Sequence, residues 1–318
     1  MLAYIIRRLI QSLFVIIAVV ILVFVLARLS GDPAILYLPL DATPDQHEAY
    51  RRNNGLDQPT LVQLKVFLQD VIRFEFGTSL WQKRPAMHIV LERLPFTLTL
   101  ASFTTLIAFT IALVLGTLAA VKPMSIFDRI VSSLSIIGGA VPSFWLGLVL
   151  IMLFAVKLRL VPTSGTGGIL HLILPVTTLT WPMTGGMALV VRSSVLQFLD
   201  APFTVTARAK GLFERTVIFG HVGRNALIPV ITVAGTAFIG VANGAVIVET
   251  VFGWPGIGKL MIDAIQRRDF PIIQAVVFVV AVVVVALNLL LDLIYAAVDP
   301  RIRSVSYTHL TLPTILLV

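Results

Sequence analysis

The sequence predicts an all-α, polytopic membrane protein with six transmembrane helices. Of 318 residues, 58% are hydrophobic and 13% are charged, against roughly 25% charged in an ordinary soluble domain. Several apolar runs approach or exceed the ~18 to 20 residues that cross a bilayer. They are long and continuous, whereas a transmembrane β-barrel would show short alternating segments. The absence of cysteine removes disulfides, thiolate metal sites and a Cys nucleophile. A net charge of +8 could suit nucleic acid or anionic lipid. In a membrane protein the placement of charge matters more than its total.

The first span covers residues 9–26, behind Arg7 and Arg8. A signal peptide would carry a shorter apolar run and a small-residue cleavage site, and Ala27-Arg28-Leu29 is a poor one. The N-terminus is therefore placed in the cytoplasm. Residues 30–94 form an outer excursion with turn signals at Gly31-Asp32-Pro33, Asn53-Asn54-Gly55 and Gly77-Thr78-Ser79. Helical spacing between residues 61 and 74 makes it a small folded unit. The second span is 95–121, followed by a polar loop with Pro123, Asp128 and Arg129. The third is 130–156, interrupted by Gly138-Gly139 and Pro142. The fourth is 169–191, broken by Pro175, Trp181-Pro182 and Gly185-Gly186. The fifth is 227–248 and the sixth 271–298, ending at Asp299-Pro300.

Six spans put both termini inside. Arg7, Arg8, Lys122, Arg129, Arg192, Arg208, Lys210, Arg215, Arg224, Arg301 and Arg303 then fall inside, with Asp128, Asp200, Glu214 and Asp299 as the inner acids. That excess agrees with the positive-inside rule. Residues 304–318 fit no element and are set aside as a non-native tail, leaving one permease domain over 1–303. Asp292 is the ionisable residue deepest in a span. An intramembrane carboxylate is a functional candidate by default, but its place near the inner end favours snorkelling to the interface. No chain of buried acids or histidines is available for proton coupling.

Most distinctive is Thr204 to Val230, the longest clearly polar passage between apolar segments in the C-terminal half. It carries Arg208, Lys210, Glu214, Arg215, His221 and Arg224. Residues 204–210 and 212–219 read as short helices with Gly211 as the corner. Were the helix to continue, Lys210 and Glu214 would lie one turn apart, and Arg208 and Arg215 would share a face. Ala207 and Ala209 keep that surface low for a partner. The same chemistry also suits an amphipathic helix resting on anionic lipid. Residues 253–259 have the spacing of a phosphate-binding loop. Leu260 stands where a Ser or Thr would be needed, no strand precedes it, and the loop is assigned outside. A structural outer loop is expected there. Histidine pairs at H-x-x-x-H spacing and a G-x-S-x-G elbow are absent.

The segment ARAKGLFERTVIFGHVGRNALIPV resembles the cytoplasmic coupling loop of ABC importer permeases, in the form found in the dipeptide/oligopeptide/nickel family. It departs from the general pattern, with no Glu before the alanines and a shifted Ile-x-Leu-Pro offset, departures for which that subgroup is known. Further matches run in order along residues 1–303. They include Tyr4-Ile5-Ile6-Arg7-Arg8-Leu9, Gly55-Leu56-Asp57-Gln58-Pro59, Phe76-Gly77-Thr78-Ser79, Glu249-Thr250-Val251-Phe252 and Trp254-Pro255-Gly256-Ile257-Gly258.

The resemblance implies a type I ABC importer permease, with a large outer loop like that of the first of two permease subunits. It implies a coupling loop over 192–226. Ala207, Arg208, Ala209, Lys210, Gly211, Leu212, Glu214 and Arg215 would dock on an ATPase, and Arg224, Asn225 and Pro229 would close the loop. Implied partners are a second homologous permease, two cytoplasmic ATPases that hold the ATP and Mg, an extracytoplasmic solute-binding protein and membrane lipid. Nucleic acid, a cofactor in this chain and enzymatic activity of its own are not expected. The setting implied is a prokaryotic plasma membrane, and the cargo peptides or a related small solute. An ion-coupled carrier and a membrane scaffold are the alternatives. The first predicts internal repeats and buried charge pairs, and neither is seen in the sequence.

Overall fold

The computed structural model describes residues 2–29, 38, 42–53, 55–243 and 245–298. The expectations for Gly31-Asp32-Pro33, Asn54, Asp299-Pro300, Arg301, Arg303 and residues 304–318 lie outside the described residues. Twelve helices follow one another among those described. They are α1 (Leu2–Leu29), α2 (Pro44–Asn53), α3 (Thr60–Ile72), α4 (Ala86–Val121), α5 (Ile126–Ala140) and α6 (Ser143–Lys157). Then come α7 (Ile169–Leu199), α8 (Pro202–Ala209), α9 (Glu214–Ala242), α10 (Val246–Val251), α11 (Ile257–Gln266) and α12 (Phe270–Val298). Five are long and apolar enough to cross a membrane, and the bent pair α5 and α6 makes a sixth span.

The break in the third span has a local cause. Val141 is extended (φ −77°, ψ 121°) ahead of Pro142, as the ring of a following proline requires. The two halves meet at 99°. In the fourth span the prolines do not act this way: α7 is one helix running through Pro175 and Pro182. Pro175 is buried in the bundle, where packed neighbours can satisfy freed carbonyls. The span expected to be broken is therefore whole.

Helix ends outrun the apolar runs. α4 starts at Ala86, nine residues before Pro95, and α9 starts at Glu214, not at Leu227. Asp128 and Arg129 lie in the first turn of α5, not in a loop, because Ser125 caps that helix by accepting from the Asp128 amide at 3.2 Å.

The centre of the bundle is α4 against α7. Leu100, Thr104, Ala108, Ala112, Gly116 and Ala120, four residues apart along α4, are all buried. Small side chains on one stripe let helix backbones approach closely without a hydrophobic driving force from water. A Cβ at Gly116 would sit 2.6 Å from the Ala188 carbonyl oxygen. The α5–α7 crossing is equally tight, since a Cβ at Gly185 would lie 2.6 Å from the Ser135 oxygen. Gly185→Ala is expected to cost about 1–2 kcal/mol, read as a lower melting temperature in nanodiscs.

α1 packs outside this bundle against α12 and α3. Arg8 Nε meets Asp292 Oδ2 at 2.9 Å, so Asp292 pairs with the first span. Phe24, Phe67, Phe76 and Phe278 touch in series, the first pair stacked, the second edge-to-face and the third tilted, with centroids 5.4, 6.5 and 5.2 Å apart, and join α1 and α3 to α12.

Candidate functional site

α7 continues to Leu199, and the chain turns at Asp200 and Ala201 into α8, with Pro202 in its first turn. Proline suits that position because its missing N–H has no helical partner there. α8 ends at Ala209. Gly211 follows with φ +78°, a left-handed conformation in which a side chain would be strained. Phe213 is extended, and α9 begins at Glu214. The segment expected to span 192–226 is thus mostly helix, and its non-spanning part is about 200–213.

This geometry revises several sequence expectations. Arg224, Asn225 and Pro229 do not close a loop; they lie inside α9. Lys210 and Glu214 are not on one helix, nor are Arg208 and Arg215, because Gly211 ends the first helix between them. Ala207 faces inward, buried with Val191, Val195, Val217 and Val222, so it seats α8 on the bundle and does not present a low surface. Ala209 is exposed.

Arg208 holds the corner together. Its Nη2 and Nε donate to Glu214 at 2.7 and 3.2 Å, and its Nη1 donates to the Leu199 carbonyl at 3.3 Å. Such a two-pronged guanidinium–carboxylate pair fixes direction as well as distance. Thr204 Oγ1 adds a bond to the Phe198 carbonyl at 2.7 Å. One residue thereby ties the end of α7, α8 and the start of α9.

Outward from this brace stand Lys210 and Arg215, which form no ion pair among the described residues. Beside them are Val205, Leu212 and Phe213, the last 85% exposed. Phe213 is the residue that sequence reasoning missed. Its signal was an aromatic between a glycine corner and a charged helix start. Large exposed apolar side chains beside free cations make a contact surface.

A second tie reaches this region from the start of α5. Asp128 on α5 accepts from Arg192 on α7 at 2.5 and 2.8 Å, and from the Met124 amide at 2.9 Å.

On the opposite side of the bundle lies the segment with phosphate-loop spacing. Gly253 has φ +59°, and α11 starts at Ile257. Its first amides face a carboxylate of the same chain. Glu249, 0% exposed, accepts from the Lys259 amide at 2.9 Å and from Thr97 Oγ1 at 2.7 Å, while the Ile257 amide donates to Thr97 Oγ1 at 2.8 Å. Burial pushes the Glu249 carboxyl above its ordinary value. The bonds from Thr97 and from the Lys259 and Gly258 amides pull it back. Side chains at Gly256 or Gly258 would collide with this carboxylate. The place where a phosphate would sit on a helix start is filled by Glu249, and the loop is structural.

Long apolar helices, a broken span and a short braced turn between two spans define a polytopic helical membrane protein. Residues 112–304 match the family described as binding-protein-dependent transport system inner membrane component, and residues 1–101 match its N-terminal companion. The chain belongs to that family, a family of transport permeases and not of catalysts, and is the transmembrane permease subunit of a binding-protein-dependent importer.

It is 39% identical over 315 residues to the oligopeptide transport system permease protein AppB of Bacillus subtilis, covering 95% of this chain and 100% of that one. It is likewise 39% identical over 306 residues to the glutathione transport system permease protein GsiC of Pectobacterium atrosepticum, covering 95% and 99%. Among solved structures, the inward-facing MetNI methionine ABC transporter matches with a TM-score of 0.56 at 18% identity, over 67% of this chain and 97% of that one. An amino acid ABC transporter matches at 0.51 and 19%, over 66% and 94%. The fold is that of a type I ABC importer permease.

Proposed function

We propose that the chain imports peptides or a related small solute by ATP-driven alternating access, with residues 200–215 as its contact to a cytoplasmic ATPase. The observation that carries this is the braced turn at Arg208, which presents Lys210, Leu212, Phe213 and Arg215 outward from two spans at once. A surface fixed to both α7 and α9 passes any displacement to both, which is what rigid-body switching needs. The substrate class is supported by relatives named for oligopeptide and glutathione transport. In this reading a second homologous permease completes the pathway and two ATPases supply the hydrolysis. A solute-binding protein delivers cargo from outside. Both termini and the 200–215 turn are cytoplasmic, and the membrane is the inner membrane of a prokaryote.

The test is ATP hydrolysis by the assembled complex in nanodiscs, with and without loaded binding protein, for the natural chain and Gly211→Pro. Proline is fixed near φ −65° and cannot adopt the φ of +78° seen at Gly211. Stimulation by the binding protein is expected in the natural complex and is expected to be lost in the variant. Equal stimulation in both would remove the turn from the mechanism. No stimulation in either would return a secondary carrier or a scaffold to the front.

A further inference from the structure

At the end of the bundle away from Arg208, a cavity of about 260 Å³ opens between residues 81–82, α4, the 253–256 loop and α11. Connectivity fixes which end this is. α4 begins there at Ala86 and runs to Val121, next to the start of α5, which Arg192 ties to the C-terminal part of α7. Trp81, Gln82, Arg93, Lys259 and Asp263 are in the cavity wall, which is therefore polar as well as apolar.

The charges in this wall do not cancel. Lys259 Nζ pairs with Asp263 at 2.9 Å, and each of those side chains is about a third exposed. Arg93 is half-buried in the second turn of α4, and its guanidinium forms no hydrogen bond or ion pair among the described residues. The adjacent Glu92 is held by Arg84 at 2.6 Å. A further cation stands nearby: the Arg267 guanidinium lies 3.9 Å from the centre of the Trp81 ring, a cation–π contact.

The part of the wall that carries Trp81 is fastened down. Asp269, 1% exposed, accepts from Ser79 Oγ at 2.6 Å and from the Trp81 amide at 3.3 Å. Ser79 Oγ in turn accepts from the Gln82 amide at 3.0 Å, and the Ser79 amide donates to the Arg84 carbonyl at 2.9 Å. Trp81 itself stays 50% exposed. An exposed tryptophan on a fixed backbone, sharing a cavity with an unpaired arginine, has the composition of a binding hot spot. A site already ordered also loses little freedom when it is filled.

We propose that this cavity anchors the solute-binding protein, taking one of its aspartate or glutamate side chains against Arg93, with Trp81 packed on the aliphatic part of that side chain. The proposal rests on the importer reading above and deepens it. With residues 200–215 in the cytoplasm, this end of the bundle faces the side from which the binding protein delivers cargo. The uncompensated positive charge selects a carboxylate partner, and a concave, fixed wall suits a single protruding side chain.

The test uses the assembled transporter in nanodiscs of phosphatidylcholine alone, which present no anionic headgroup. ATP hydrolysis is titrated with loaded binding protein for the natural chain, Arg93→Gln and Lys65→Gln, the last removing an equal charge from an exposed lysine of α3. In Arg93→Gln the half-saturating concentration of binding protein is expected to rise about five- to tenfold, between the effects of an exposed and a buried charge pair. The rate at saturation is expected to be kept. Lys65→Gln is expected to change neither.

Arg93→Lys then places an amine in the cavity, and a water-soluble carbodiimide joins an amine to a touching carboxylate with loss of water. A cross-link from position 93 to an aspartate or glutamate of the binding protein is expected. Half-saturation that does not move in Arg93→Gln, or that moves equally in Lys65→Gln, would overturn the proposal. So would the absence of a cross-link, or one to the terminal carboxylate of the cargo peptide instead. A binding protein that stimulates no hydrolysis in the natural complex defeats the importer reading itself, whereas stimulation without the Arg93 effect defeats only this docking pocket.

Discussion

Arg192→Leu is expected to destabilise the protein by about 3 kcal/mol, the lower end of the range for breaking a buried ion pair. The side chain of Asp128 is 4% exposed and that of Arg192 is 26% exposed. Removing the guanidinium strands a carboxylate that retains only the Met124 amide and a long contact from Ser132 at 3.4 Å. The loss is taken below the maximum because Arg192 keeps a quarter of its surface, where water can reach Asp128 once the arginine is gone. The double variant Asp128→Leu/Arg192→Leu is expected to recover most of the loss, since an apolar pair can replace a buried salt bridge at little cost. Thermal unfolding of the three variants in nanodiscs checks this. A double variant no better than the single one would mean that the pair does more than neutralise its own charges.

Glu249→Ala is expected to cost about 3 kcal/mol. The substitution removes both acceptor oxygens at once, leaving the Lys259 amide and the Thr97 hydroxyl facing an apolar gap. Each unsatisfied donor costs about 1–3 kcal/mol. The damage should stay at the Glu249 end of the bundle, where Trp254 Nε1 also donates to the Phe96 carbonyl at 3.0 Å. Hydrogen exchange is expected to rise in α10 and α11 while α8 keeps its protection. Faster exchange at α8 instead would show that the two sides unfold as one unit.

The spans were legible in the sequence because the bilayer imposes a length and a polarity that few other environments demand. Their ends were less so, and for a physical reason. Polarity marks where a helix leaves lipid, whereas hydrogen bonding decides where it stops. At Glu92 and Arg93, or from Arg192 to Leu199, the chain is polar yet still helical. Proline was read correctly at 142 and wrongly at 175 and 182, because its effect depends on neighbours that only the packed bundle supplies. In the candidate site, Gly211 was found from its residue type alone. The partnership of Arg208 with Glu214 was not, since a spacing of six belongs to no regular helix and exists only because the chain turns between them. Asp128 and Arg192, 64 residues apart, carried no pairwise signal at all. Ala207 was misassigned because small side chains serve equally to admit a partner or to seat a helix.

The unbroken fourth span sets a gear ratio. Thirty-one residues at 1.5 Å each make α7 at most about 46 Å long, and Arg208 fastens its C-terminal end to α8 and α9. A tilt of about 10° about the midpoint of such a rod displaces each end by about 4 Å, in opposite directions. Thr180 and Thr184 lie near that midpoint, in the middle third of the helix, so they would turn in place while the two ends sweep. Residues at the middle of α7 therefore sit at the fulcrum and travel little, while the cap at Arg208 and the far end of the helix take up the whole of the swing.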